Sequence, residues 1–149
     1  MMKKRKIIIS VVILTGIVLY GVYRLYFERT PEHLLEWSFN ISLKGFDYSV
    51  ESFDEQWCPN GDGHLLIIIT FNELTQKNIE YLKTFSHQEL PISQADKRQM
   101  GASQIPNKYS YADSGLYIYV PEDPNEDRNF KIFIVDTEKN TAVLYYQIM

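Results

Sequence analysis

Asn60, Asp62 and His64 alternate through and just past the turn that runs from Pro59 to Gly63, and all three are side chains that can ligate a cation. Alternate oxygen donors with glycine at the bend are how the first half of a calcium loop is built. The acidic residue that closes such a loop is missing, because the apolar run Leu65 to Ile69 occupies its place. A β-hairpin turn asks for the same residue types, since Asn, Asp and Gly accept positive φ. The expected reading is therefore a turn. A second cluster, Glu122, Asp123, Glu126 and Asp127, has the charge to hold a cation or a basic partner, but Pro124 and Asn125 between its halves mark a solvated turn.

The remaining reactive groups are scattered. His33, His64 and His87 lie 31 and 23 residues apart, which is no zinc spacing. Cys58 is the single cysteine, so no internal disulfide forms, and beside Trp57 it reads as a small buried hydrophobe. There is no HExxH, P-loop, GxSxG or CxxC pattern. Asn40-Ile41-Ser42 fits the glycosylation sequon, which matters only in a eukaryotic secretory setting. The sequence thus assigns no catalytic, cofactor-binding or metal-binding residue and calls for no cofactor.

The elements that carry these groups read as α+β. Thr30 before Pro31 is an N-cap with proline in the first helical turn, which starts a short helix near His33 to Trp37. Phe46, Tyr48 and Val50 alternate with Asp47, Ser49 and Glu51, the period-two pattern of a half-buried strand, which continues past Phe53 to Trp57 through a bulge. Leu65 to Phe71 is apolar apart from Thr70, as in a strand covered on both faces. Asn72 can cap a helix over 73–86, with Leu74, Tyr81, Leu82 and Phe85 on one face. Residues 88–113 lose all periodicity except for a short helix over 93–100, opened by Ser93 and Asp96 and stopped by Gly101. Long irregular connections of this kind are often functional or disordered.

Three alternating runs follow, over 116–120, 130–135 and 142–149, the last two forming a hairpin. The expected domain is a mostly antiparallel sheet of about five strands with one main helix on one face. Tyr117, Tyr119, Val143 and Tyr145 line the opposite face, which becomes an interaction candidate if nothing covers it.

The first residues give an address. Lys3, Lys4, Arg5 and Lys6 precede an apolar run from Ile7 to Phe27. As a helix, 7–27 covers about 31 Å, one hydrocarbon core. Its strongly apolar side chains favour insertion by about 3–7 kcal/mol. Arg24 falls near the far end, where it can snorkel, and Tyr20, Tyr23, Tyr26 and Phe27 form an interfacial belt there. The apolar run is too long for a cleaved signal peptide, and no small-x-small site follows it. The sequence predicts a cytoplasmic basic segment over 1–6, a signal anchor over 7–27, a membrane-proximal helix or linker over 28–43 and an extracytoplasmic domain over 44–149. More positive charge before the span than after it puts the C-terminal domain outside.

From Arg29 onward, 18 acidic residues face 10 basic ones. That balance disfavours nucleic acid and permits a basic protein partner. A non-enzymatic, membrane-anchored interaction module of the envelope-accessory or immunity type is the expected function. The alternative is a small metal-dependent or hydrolytic enzyme with its site near Asn60 to His64 and the 88–113 loop.

Overall fold

The computed structural model describes residues 2–26, 29–86, 88–100, 105–110, 112–123 and 126–148, with the side chains of 2–8, 24–26, 123 and 126–128 left aside. In chain order the elements are α1 (Met2–Tyr26), α2 (Pro31–Phe39), β1 (Tyr48–Trp57), β2 (Gly63–Phe71), α3 (Gln76–Lys83), β3 (Gln88–Glu89), α4 (Gln94–Gln99), α5 (Asn107–Ser110), β4 (Gly115–Asp123), β5 (Glu126–Asp136) and β6 (Thr141–Ile148). The strands form one six-stranded sheet in the order β1-β2-β6-β5-β4-β3, antiparallel throughout. The α+β class and the antiparallel sheet therefore hold. The sixth strand, β3, is two residues long and has no periodic signature of its own.

The β5–β6 hairpin follows from alternation on both strands, with Phe133 opposite Leu144 and Val135 opposite Ala142. Its turn is closed by Asp136, whose Oδ1 accepts from the backbone N–H groups of Glu138 (3.0 Å) and Lys139 (2.9 Å). Asn140 supplies the left-handed residue, at φ 53. β1 carries a bulge. Val50 pairs with Ile69 and Ser52 with Ile68, so Glu51 is the extra residue. This shift keeps Tyr48 and Val50 on the same side as Phe53, Glu55 and Trp57.

Both faces of the sheet are covered. On the first, Leu65, Ile67, Ile69, Phe133 and Leu144 pack with Leu35 of α2 and Leu82 of α3, and with Ile41 and Leu43 from the segment that follows α2. Burying an aliphatic side chain of this size contributes about 1.5–3 kcal/mol. The segment expected as a membrane-proximal helix or linker over 28–43 places Leu35, Ile41 and Leu43 in the core. α2 starts where Thr30 accepts from the His33 N–H, and it stops at Asn40 in the left-handed region, at φ 57. α3 is shorter than the 73–86 expectation. Thr75, not Asn72, is its N-cap, because Thr75 and Asn78 satisfy each other's backbone in a capping box.

On the second face, Leu66, Ile68, Ile132, Ile134, Val143 and Tyr145 pack under Leu90, Ile92, Met100, Ile105, Tyr109 and Ala112. The irregular stretch after β3 is therefore a lid on the sheet. The expectation of one main helix on one face is corrected: α2 and α3 cover one side, and the region of α4 and α5 covers the other. The tyrosine face is accordingly buried, with Tyr117 2 % and Tyr145 1 % exposed. Asp96 of α4 ties this cover down, its Oδ2 accepting from the Ser93 hydroxyl and the Tyr117 hydroxyl, both at 2.7 Å. Burial first, and the Asp96 carboxylate second, push the Tyr117 phenol up. Gly101, the expected stop of α4, and Tyr111 lie outside the described residues.

α1 is a 25-residue helix. The side chains of Ile9, Val12, Leu14, Ile17 and Leu19 are all more than half exposed. Among the described residues, no helix is long and apolar enough to cross a membrane. The side chains of Lys3 to Ile8 and of Arg24 to Tyr26, and all of Phe27, lie outside the described residues.

Candidate functional site

The residues singled out in the sequence do not converge. In the β1–β2 turn, Asn60 donates its amide to the Asp62 carboxylate, and Asp62 O accepts from Cys58 N at 2.7 Å. The turn therefore consumes its own oxygen donors. His64 lies beyond it on β2, 6 % exposed and stacked on Tyr145 with ring centroids 6.0 Å apart. Its Nε2 has no hydrogen-bond partner and sits 3.7 Å from Asp54 Oδ2. His33 is exposed on α2. His87 lies outside the described residues, as do the side chains of Asp123, Glu126 and Asp127. Among the described residues, no group of three or more His, Cys, Asp or Glu is placed to hold a metal ion. Cys58 is exposed, not buried, because the hairpin turn that carries it projects beyond the sheet.

What the fold does bring together is aromatic. On the first face, beyond the end of the core, α2 and the sheet leave a groove of about 210 Å³. Its walls are Trp37 of α2 and Phe53 and Trp57 of β1, and its floor is Leu65, Tyr146 and Ile148. Trp37 is 70 % exposed, Trp57 45 % and Phe53 43 %. These three would favour burial by several kcal/mol if covered.

Charged groups frame the apolar walls in fixed pairs. Arg29, just before α2, meets Glu55 of β1 at 2.7 Å. Glu55 also accepts from the Trp57 indole N–H at 2.6 Å, which locks that ring against the rim. Across the groove, the Lys131 ammonium lies 4.5 Å from the Trp37 ring centroid and 5.6 Å from that of Tyr146, and 3.5 Å from Glu122. Two cations and two carboxylates thus balance. The arrangement offers ring faces, an apolar floor and exchangeable ion pairs. Both carboxylates are engaged by cations. This is chemistry for holding another surface.

Tyr146 joins the groove floor to α2. Its hydroxyl donates to Leu34 O at 3.1 Å and also meets the Ser38 hydroxyl. Burial pushes its phenol up to about 12, against a small lowering from Ser38. An acid whose folded pKa lies above its unfolded value near 10 leaves stability intact below pH 10 and erodes it as pH rises toward 12. The full difference is about 2–3 kcal/mol. Tyr146→Phe is expected to flatten this alkaline loss while costing about 1 kcal/mol at pH 7 from the lost hydrogen bonds. Urea unfolding followed from pH 8 to pH 12 checks both parts.

Sequence reasoning missed the groove because its residues come from α2, the Arg29 before it, and five strands, β1, β2, β4, β5 and β6. The one available signal was that the two tryptophans, Trp37 and Trp57, stand in elements on the same face. No protein-family model matches this chain, and neither curated proteins nor solved structures give a match to it.

Proposed function

We propose that this protein is a membrane-tethered, non-enzymatic interaction module. α1 lodges in the bilayer with its basic start in the cytoplasm, and the folded domain stands outside and offers the aromatic groove to a protein partner. The observation that carries the reading is the groove: Trp37, Phe53 and Trp57 stay exposed while both faces of the sheet are covered by the chain itself. Large exposed aromatics rimmed by charges are typical of contact surfaces, where aromatic residues supply most of the energy. The tether is supported by the basic residues Lys3 to Lys6 ahead of the apolar run in the sequence, and by the exposed apolar side chains of Ile9, Val12, Leu14, Ile17 and Leu19.

A photo-crosslinking residue at position 37 of the full-length protein, introduced in living cells, tests this. The expected result is a discrete adduct that disappears when Phe53→Asp is added and is absent when the crosslinker is placed at Glu138. The same membranes washed in alkaline carbonate should retain the protein. No adduct specific to position 37, or release of the protein into the wash, overturns the reading.

A further inference from the structure

The outer wall of the groove is β1, which stands at the end of the sheet. Among the described residues nine of its ten positions pair, on one side only, with β2, and Glu51 is the bulged exception. Free edges of that length are normally blunted by lysine, by proline or by brevity. β1 has no lysine, arginine or proline, and what guards it is the bulge at Glu51 and its carboxylates. Val50, Phe53 and Trp57 expose an apolar stripe on the groove side, each more than two-fifths exposed. The charges on the strand are all negative: Glu51, Asp54 and Glu55. Arg29 meets Glu55 at 2.7 Å and Lys108 meets Glu51 at 3.8 Å, while Asp54 lies 3.7 Å from the His64 ring.

We infer that β1 accepts a seventh strand from a protein partner, and that this strand is an extended segment in which basic residues alternate with apolar ones. The inference rests on the interaction-module reading and specifies the partner. Backbone hydrogen bonds along the edge give the affinity of strand addition, and alternate side chains give its selectivity. Apolar side chains on one side of the added strand extend the stripe of Phe53 and Trp57 into the groove. Basic side chains on the other side come beside Asp54 and near Glu51. A second copy of this chain fits poorly, because an antiparallel β1–β1 pair sets Glu51, Asp54 and Glu55 against the same residues of the mate, and like charges across strands repel.

The test uses the full-length protein in detergent micelles and three capped heptapeptides: alternating lysine and valine, alternating glutamate and valine, and the lysine peptide with its valines N-methylated. Two readouts are followed: amide exchange along β1, and emission from the two tryptophans, both of which line the groove. The lysine peptide is expected to slow exchange in β1 and shift the emission. The N-methylated and glutamate peptides should bind at least tenfold more weakly. Glu51→Lys with Asp54→Lys should weaken the lysine peptide at least tenfold, with the circular dichroism of the domain unchanged.

Equal binding of the N-methylated or glutamate peptide overturns the inference. So does β1 protection that grows with protein concentration and needs no peptide, which would mean pairing between copies. An emission shift without β1 protection removes strand addition and leaves the groove as a binding site. The adduct at position 37 decides that broader reading independently.

Discussion

Phe133→Ala is expected to lower the stability of the domain by about 3–5 kcal/mol, the range for emptying a buried aromatic site. Phe133 is fully buried on β5. It pairs with Leu144 on one neighbouring strand and Ile118 on the other, and its ring meets Phe39 of α2 at a centroid distance of 6.3 Å. The site therefore joins three strands to a helix, and the backbone on either side is held by paired strands that resist collapse. A domain of this size has about 5–15 kcal/mol in all. The loss is then about a fifth of the total or more, and the variant should unfold at markedly lower urea with an unchanged slope. Phe133→Leu, which keeps most of the volume, should cost under about 1.5 kcal/mol. A midpoint shift for the alanine variant equivalent to less than about 1 kcal/mol would mean that α2 does not press on this face.

Gly115→Ala is expected to be nearly as costly, for a backbone reason. Gly115 opens β4 at φ 133, and a Cβ built there lies 2.0 Å from Val135 O, an oxygen fixed in the neighbouring strand. Its own carbonyl accepts from Leu90 N at 3.0 Å, so the same residue anchors the start of the second-face cover. Alanine must either push β5 away or leave the ladder, at about 2–4 kcal/mol when strain and lost pairing are combined. Amide exchange at Leu116 and Val135 should accelerate together, with that at Ile67 changing only through global unfolding. An alanine variant as stable as the parent would show that this close approach does not constrain the pairing of β4 with β5.

The parts of the fold that were legible in the sequence are those encoded by local patterns, whether strand periodicity, a continuous apolar run or a helix cap. The β5–β6 hairpin, the run Leu65 to Phe71 and the caps Thr30 and Ser93 all encode their structure within a few neighbouring residues, and local steric and hydrogen-bonding rules suffice to read them. The cover on the second face is different. Leu90, Ile92, Met100, Ile105, Tyr109 and Ala112 are buried at irregular spacings, because each is placed by a tertiary contact with the sheet and not by its own backbone period. β3 likewise exists only through its pairing with β4. Cys58 was misread for the opposite reason. Its small apolar character and its neighbour Trp57 favour burial, yet both belong to the exposed end of a hairpin. The groove has no local signature at all, since Arg29, Trp37, Phe53, Lys131 and Tyr146 meet only after the strands have been ordered.

The contribution of Leu35, Ile41 and Leu43 to the first-face core changes where the polypeptide can be divided. Gly45 looks like the natural place to cut, and a fragment beginning there retains every strand. It would nonetheless expose the apolar bed on which α2 rests, so the excised piece and the remainder behave as two halves of one cooperative unit. A cut that leaves this packing intact falls before the capping hydroxyl of Thr30.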